Sequence, residues 1–170
     1  MYFRSNPGSR LTWGVVSTCL EPTPLVVAFV AHHVEMGASV VHIFLDTEKR
    51  QIVNATRAYE LKDVDWLAHL DADEFLFCES SFASILSALP TEVDYLHLRN
   101  LERVFDASKP QSGLFDGIMR HPFRKEWPAQ TEFLSDDVLP YLVRGITGHC
   151  SGKSIVRTDR DMAMGIHSPR

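Results

Sequence analysis

Trp66 to Phe77 reads WLAHLDADEFLF. Asp65 to Leu70 has the length and apolar content of a buried strand. The run then ends in three acids within four residues, Asp71, Asp73 and Glu74. Carboxylates crowded in this way repel one another and raise one another's pKa unless a cation neutralises them. The stretch therefore predicts a strand whose body is buried and whose end carries negative charge to an open rim.

The flanking sequence repeats the pattern. Leu11–Leu20 is short, apolar and β-branched, as a buried strand is. Thr23 is a candidate N-cap and Pro24 fits a first helical turn. That helix is expected to reach about Met36 and stop at Gly37. Ser39–Leu45 reads as a second strand, ending at Asp46. Gln51–Leu61 has helical spacing and leads into the third strand. Phe82–Leu89 reads as a short helix stopped by Pro90, and Tyr95–Leu98 as a fourth strand. Alternating strands and helices predict an α/β fold, βαβ units on a mostly parallel sheet flanked by helices. Ligands of such sheets bind beyond the carboxyl ends of the strands. Leu20-Glu21, Asp46 and Asp71–Glu74 are thereby expected on one rim. After residue 100, Gly113, Gly117, Pro122, Pro128 and Pro140 break the chain into loops and short elements, with Tyr141–Arg144 and Lys153–Arg157 as candidate strands. A single domain over 1–170 is expected, with one half at about 11–100 and an irregular half at about 101–170.

Composition narrows the function. The chain has 170 residues, 45% hydrophobic and 23% charged, with a net charge of -5. That length suits one domain and is marginal for two. The negative balance argues against nucleic acid as a partner, because its binders are strongly basic. The longest apolar stretch, around Leu25 to Ala31, is far short of the ~20 residues that cross a bilayer. No transmembrane segment is expected, and any membrane contact is peripheral. No charged leader with an apolar segment and cleavage site opens the chain, which predicts no signal peptide. Cys19, Cys78 and Cys150 are widely spaced and odd in number, so neither a disulfide framework nor a CxxC metal site is expected. A reducing cytoplasm is the simplest setting.

The acid cluster suits a hard cation. Mg²⁺ is usually held by one or two carboxylates plus substrate phosphates and water. On an extended chain Asp71 and Asp73 face one way and Ala72 the other, while Glu74 points elsewhere unless the chain turns. The plainer alternative is that the acids solvate a strand end or cap the next helix.

Four ordered segments carry a resemblance. They are the Trp66–Phe75 signature (WLxxxDxDEF), Glu21-Pro22 leading into Phe29–His33 and Gly37-Ala38, Arg50-Gln51 with Asn54 and Tyr59, and Gly148–Arg157 (GHxxGKSxxR). Together they resemble the family 2-like glycosyltransferases of the GT-A fold. The resemblance implies transfer of a sugar from a nucleotide-sugar, a UDP-sugar by analogy, to a hydroxyl of a glycan or lipid-linked acceptor, with inversion. It implies Mn²⁺ or Mg²⁺ on the donor diphosphate. Asp73 is then the direct ligand, and Asp71 a second ligand or a contact to ribose or a metal-bound water. His167, in Gly165-Ile166-His167, looks like the late histidine that such enzymes add to the metal, with His149 as the alternative. Asp46 is the implied base-recognition acid, and Thr18 to Glu21 face the nucleotide. Similar chains carry a further strand between the second strand and the Gln51 helix; here Asp46 reaches Gln51 in five steps.

The residues leave other roles open. Lys153 and Arg157 are cations that fit either phosphate or the acid cluster. Glu132, Asp136 and Asp137 are candidates for the general base an inverting transfer needs. Trp127 suits either a sugar ring or the core. His32 and His33 are adjacent on a helix, about 100° apart, and read as packing or capping groups. The Phe75-Leu76-Phe77 run is expected to bury under the sheet. Two rivals remain. A haloacid-dehalogenase-type phosphatase would use the first Asp as nucleophile, and a non-catalytic sugar- or nucleotide-binding domain would lack a base.

Overall fold

The computed structural model describes residues 10–20, 22–105, 108–113, 115–122, 146–147 and 150–169. The chain divides into two compact units. One holds the residues up to His97 together with those from Lys153 onward, and the other is Leu98–Gly152. The last stretch of chain, from Lys153 onward, thus belongs with the first unit and not with the residues that precede it.

The first unit is α/β. In chain order it contains β1 (Trp13–Cys19), α1 (Thr23–Glu35), β2 (Val40–Leu45), a single 3-10 turn (Glu48–Arg50), α2 (Gln51–Leu61), β3 (Trp66–His69), α3 (Phe82–Ser87) and β4 (Tyr95–Leu98). After two short strands of the other unit, β5 (Glu102–Val104) and β6 (Ile118–Arg120), the sheet is completed by β7 (Lys153–Arg157). Its order is β2-β1-β3-β7-β4. β1 pairs in parallel with β2 and β3, whereas β7 runs antiparallel to β3. The sheet is thus mixed, not uniformly parallel. A strand entering from the turn-rich segment before Lys153 needs no crossover helix to pair antiparallel.

The chain moves outward from β1 to β2, then back past β1 to β3. With right-handed crossovers, that reversal puts α1 and α2 on opposite faces. α2 packs Ala55, Ala58 and Tyr59 against Val16, Leu67 and Val156, with Val64 and Met164 closing the cluster. On the other face Phe82 of α3 meets Trp13 edge-on, with ring centroids 4.8 Å apart. β1 and β3 are buried along their whole length, as central strands covered on both faces are.

Several local expectations need correction. Thr23 is the first helical residue of α1, not its cap; Pro22 holds the cap position and supplies no side-chain bond. Gly37 does end the helix, at φ +93°. Its N–H donates to Val34 and the Ala38 N–H to His33, so two orphan carbonyls are satisfied. α3 ends two residues before the expected Leu89 and is capped by Ser81. In the aromatic run only Leu76 is buried; Phe77 is 72% exposed. His32 and His33 do bond and pack, both to the Phe75-Leu76 segment.

The second unit contains an antiparallel ribbon that the sequence reading missed, pairing Glu102 with Arg120 and Val104 with Ile118. Strands of three residues are too short for alternation to register. Gly117 immediately precedes β6 at φ +108°, where a Cβ would fall 2.6 Å from the Val104 carbonyl oxygen. The candidate strand Tyr141–Arg144 lies outside the described residues. Among the described residues, no helix is long and apolar enough to cross a membrane.

Candidate functional site at the carboxyl ends of the strands

Because β1, β2 and β3 are parallel, their carboxyl ends share one edge. Cys19 pairs with Leu45, and the Leu70 N–H donates to Val16 at 3.0 Å. Asp46 and Asp71 therefore emerge on either side of β1, where the strand order reverses. Such a reversal opens a crevice in α/β sheets. Beside it a cavity of about 520 Å³ is lined by Leu20, Asp46, Thr47, Glu48 and Lys49.

The first turn of α2 furnishes this rim with amides. Gln51 and Asn54 are three residues apart, hence on one helix face. Gln51 Nε2 donates to Asp71 Oδ1 at 3.2 Å. Asn54 Nδ2 lies 3.3 Å from Thr18 Oγ1 and 3.4 Å from Asp46 Oδ2. Asn54 is fully buried, and its Oδ1 has no partner among the described residues. Asp46 also accepts from the Thr47 N–H at 2.8 Å and pairs with Arg50 at 2.9 Å. The Thr47 bond, foremost, holds the Asp46 carboxyl below its usual range.

The acid cluster does not stay extended. β3 ends at His69, and Ala72-Asp73 form a turn closed by the Glu74 N–H on the Asp71 carbonyl, at 3.0 Å. The expected alternation of Asp71 and Asp73 along a strand is thereby lost. Glu74 comes back to the rim instead, and its Oε2 accepts the Asp71 N–H at 3.0 Å. Ala72 is fully buried under the turn, and Asp73 is exposed.

Lys153 occupies the centre of the cluster. It opens β7, which runs antiparallel to β3 with Ile155 opposite Ala68, so its side chain reaches the end of β3. Nζ lies 2.8 Å from Asp71 Oδ2 and 3.3 Å from Glu74 Oε2. The Lys153 side chain is 4% exposed, against 37% for Asp71 and 29% for Glu74. Of the two partners the sequence allowed for this lysine, the structure supplies the acids. Burial still dominates at Glu74 and raises its pKa, against the Lys153 charge and the Asp71 N–H.

Behind the cluster lies His69, 2% exposed. Its Nδ1 meets the Gly165 carbonyl at 2.9 Å, while Nε2 is buried and has no partner among the described residues. Burial lowers its pKa, which favours the neutral ring. Gly165 leaves no room for a side chain, since a Cβ there would fall 1.9 Å from the Ser168 carbonyl oxygen. This tight segment brings the His167 carbonyl to Ser154 Oγ, at 2.8 Å. His167 thus sits at the same end of the sheet as Lys153.

Arg157 does not belong to the rim. It pairs with Trp66, at the start of β3, and its guanidinium lies over the Trp66 ring, 4.5 Å from the centroid. It donates to Val93 at 2.7 Å and to Pro90 at 3.2 Å. Five residues of a strand span roughly 13 Å from first to last. That separates Arg157 from Lys153 along β7, and its expected role at the donor is withdrawn. Glu21, Trp127, Glu132, Asp136, Asp137 and His149 lie outside the described residues.

A two-aspartate chelate does not fit this arrangement. Asp71 is engaged through both oxygens, by Lys153 and Gln51. Among the described residues no three His, Cys, Asp or Glu side chains converge as a metal site. Asp73 is the one acid of the cluster with no hydrogen bond or ion pair among those residues. A divalent ion here has a single protein carboxylate to take, with phosphate and water for the rest.

Gln51, Asn54 and His69 received no role from the sequence, although each left a signal. Two amides at i and i+3 interrupt the apolar face of α2, and a lone imidazole interrupts the run of β3. No protein-family model matches the chain, and no curated protein or solved structure is significantly similar to it.

Proposed function

We propose that the chain is a GT-A-type glycosyltransferase that moves a sugar from a nucleotide-sugar, a UDP-sugar by analogy, to an acceptor hydroxyl on a glycan or lipid-linked glycan. One observation carries this reading. Thr18, Asp46, Asp71 and Asp73 gather at the carboxyl ends of three parallel strands, around the strand-order reversal and beside an open cavity. In this reading the nucleoside lies over the ends of β1 and β2, by Asp46 and Thr18, and the diphosphate extends towards Asp73. Asp71, tied by Lys153 and Gln51, is left to hydrogen-bond ribose or water. Asp73 would hold Mn²⁺ or Mg²⁺ together with the diphosphate, and the ion would supply Lewis acidity against the charge on the leaving group. The acceptor oxygen bonds to the anomeric carbon as the bond to the diphosphate oxygen breaks, with inversion. The hydroxyl proton goes to a carboxylate, assigned on sequence grounds to Glu132, Asp136 or Asp137. The reaction is placed in the cytoplasm.

A second reading has one observation in its favour. Lys153 already pairs with both Asp71 and Glu74 from within, as in a nucleotide-binding domain that uses no metal. A thermal-shift series with nucleoside diphosphates, with Mn²⁺ or with EDTA, separates the two, because a bound ligand raises apparent stability. The transferase reading expects a shift only with Mn²⁺, and release of nucleoside diphosphate from a nucleotide-sugar that Asp73→Ala abolishes. Equal shifts in EDTA with no turnover select the binding domain. No shift with any nucleotide refutes both.

A further inference from the structure

We infer that the outer edge of β2 is an interaction surface for a second copy of this chain, and that two sheets join through it, strand against strand, about a two-fold axis. The inference is independent of what the rim binds.

β2 ends the sheet, whose order is β2-β1-β3-β7-β4. One side of it pairs with β1, and among the described residues no strand pairs with the other. After Leu45 the chain leaves that edge through the 3-10 turn and α2, towards β3 on the far side of β1. An edge strand presents a row of backbone N–H and C=O groups, and another strand is the partner that matches them. Proteins that keep such an edge single guard it with Pro, a bulge or charge, Lys above all. Val40–Leu45 reads VVHIFL, with no Pro, Lys, Arg, Asp or Glu. Its register with β1 runs without a bulge. Its one titratable side chain, His42, pairs with Asp63 of the same chain at 3.2 Å.

The helix beside this edge is equally unguarded. From Thr23 to Val34, α1 carries no carboxylate, lysine or arginine. His32 and His33 meet the Phe75-Leu76 segment, which follows β3. At about 100° per residue, Val30 and Val34 stand ~160° from His32, and Val27 ~140°. These valines therefore line the side of α1 away from β3, which looks past β2. Val27 is 60% exposed and Val34 56%. An uncharged helix face of this kind belongs against a partner. Val40 and Phe44 pack on the α2 side of the sheet, so Val41, Ile43 and Leu45 share the α1 side. Leu45 is 75% exposed. Strand edge and helix stripe thus open in one direction.

A second copy fits both. Paired residues must point to the same face, so antiparallel self-pairing centres on a residue and not between two. Centred on Ile43, it sets Leu45 opposite Val41 and His42 opposite Phe44, with no like charges together. Centred on His42, it would face imidazole with imidazole and leave Leu45 opposite Ser39. The side chains favour the Ile43 register. Five paired residues span about 17 Å, a narrow contact against the roughly 800 Å² per partner of a standard interface. The valines of the two α1 helices, on one face of the joined sheet, add apolar area to it. Such isologous pairing closes at two copies. Because the strands run antiparallel, the two rims lie at opposite ends of the joined sheet.

The test is sedimentation velocity of the full 170-residue chain. Phe77→Lys is the control, since Phe77 is 72% exposed but follows the segment on the β3 side of α1. Wild type and control are expected to sediment as dimers of the 19.2 kDa chain at about 100 μM. Val34→Lys and Leu45→Lys, at exposed positions, are each expected to weaken dimerisation at least about tenfold with an unchanged circular dichroism spectrum. Ile43→Lys would set two ammonium groups opposite each other on the axis and is expected to abolish the dimer. Should it fail to fold, the two exposed-site variants carry the test. A wild type that stays monomeric at about 100 μM leaves the edge to another partner and overturns the inference. So does a dimer that neither Val34→Lys nor Leu45→Lys weakens. Species larger than a dimer overturn it as well, since β2 would then meet the opposite edge of the next copy in an open array.

Discussion

Acid is expected to loosen the segment that follows the rim, and His33 sets the pH at which this happens. His33 is fully buried on α1. Its Nδ1–H donates to the Phe29 carbonyl at 2.8 Å, and its Nε2 accepts from the Leu76 N–H at 3.4 Å. The ring stacks nearly parallel to Phe75, at 9° between planes. The neutral tautomer therefore uses both nitrogens. A proton on Nε2 would confront a donor and place a charge in an apolar site. Burial, foremost, lowers the pKa from 6.5 to about 4; the Phe29 carbonyl pulls the other way, and His32 adds to the lowering. Below the ordinary histidine value the unfolded chain binds a proton that the folded chain refuses. Stability present above pH 6.5 is thus lost as the pH falls through about 4. At roughly 1.4 kcal/mol per pKa unit, the full loss is about 3 kcal/mol, most of it reached by about pH 4.5. The assay is urea unfolding of wild type and His33→Gln, at neutral pH and again at about pH 4.5. Carboxylate titrations common to both chains cancel in the difference. Wild type is expected to lose about 2–3 kcal/mol more than the variant over that interval. Parallel losses would refute the account of His33 as a neutral staple.

Three further substitutions probe the rest. Asp73→Asn is expected to leave urea stability within about 0.5 kcal/mol, as an exposed site does, while removing the Mn²⁺-dependent nucleotide shift; a large loss of stability would mean that Asp73 holds the turn together. Tyr59 donates its hydroxyl to the Arg157 and Arg160 carbonyls, at 3.0 and 2.5 Å. Tyr59→Phe is therefore expected to cost about 1–2 kcal/mol in urea unfolding, and no change would show that water replaces the phenol there. Gly165→Ala would push a methyl against the Ser168 carbonyl. A loss above about 1 kcal/mol is expected, with an altered His69 imidazole resonance because the Gly165 carbonyl is its partner; an unchanged resonance would place the segment elsewhere.

The strand–helix order of the first hundred residues was legible because each element is coded locally. Apolar runs make β1, β2 and β3, the spacing of Ala55, Ala58 and Tyr59 makes the inner face of α2, and Gly37 makes a helix end. The direction of β7 was not legible, since nothing within Lys153–Arg157 says which way its neighbour runs. The rim was half legible. Parallel pairing places Asp46 and Asp71 at one edge, and an acid at a strand end is visible in sequence. What the acids touch is set by residues far along the chain. Lys153 is 82 positions from Asp71, and Gln51 is 20. Period-two reasoning failed at Asp73 because it assumes an extended backbone, and the turn at Ala72-Asp73 begins two residues after β3 ends. Arg157 was misplaced for a related reason. Lys153 and Arg157 look equivalent in a short glycine-bounded stretch, yet they occupy opposite ends of one strand.

Three neighbouring acids that look interchangeable in sequence are made chemically distinct by the fold. Asp71 becomes a joint between α2, β3 and β7. Glu74 is drawn into the turn and pushed towards its protonated form by burial. Asp73 alone keeps an exposed carboxylate. Lys153 is buried while Asp71 is more than a third exposed, so the pair brings little net stability after desolvation, and removing Asp71 would leave a buried ammonium with a single carboxylate partner. The pair therefore acts as a constraint more than as a source of stability: it fixes the register of β7 against β3 and the position of the turn that presents Asp73. Such a rim has its geometry in place before any ligand arrives, and the charge it leaves open is smaller than its composition suggests. On the transferase reading, binding there depends on the oxygen atoms that the ligand itself contributes more than on the number of acids in the motif.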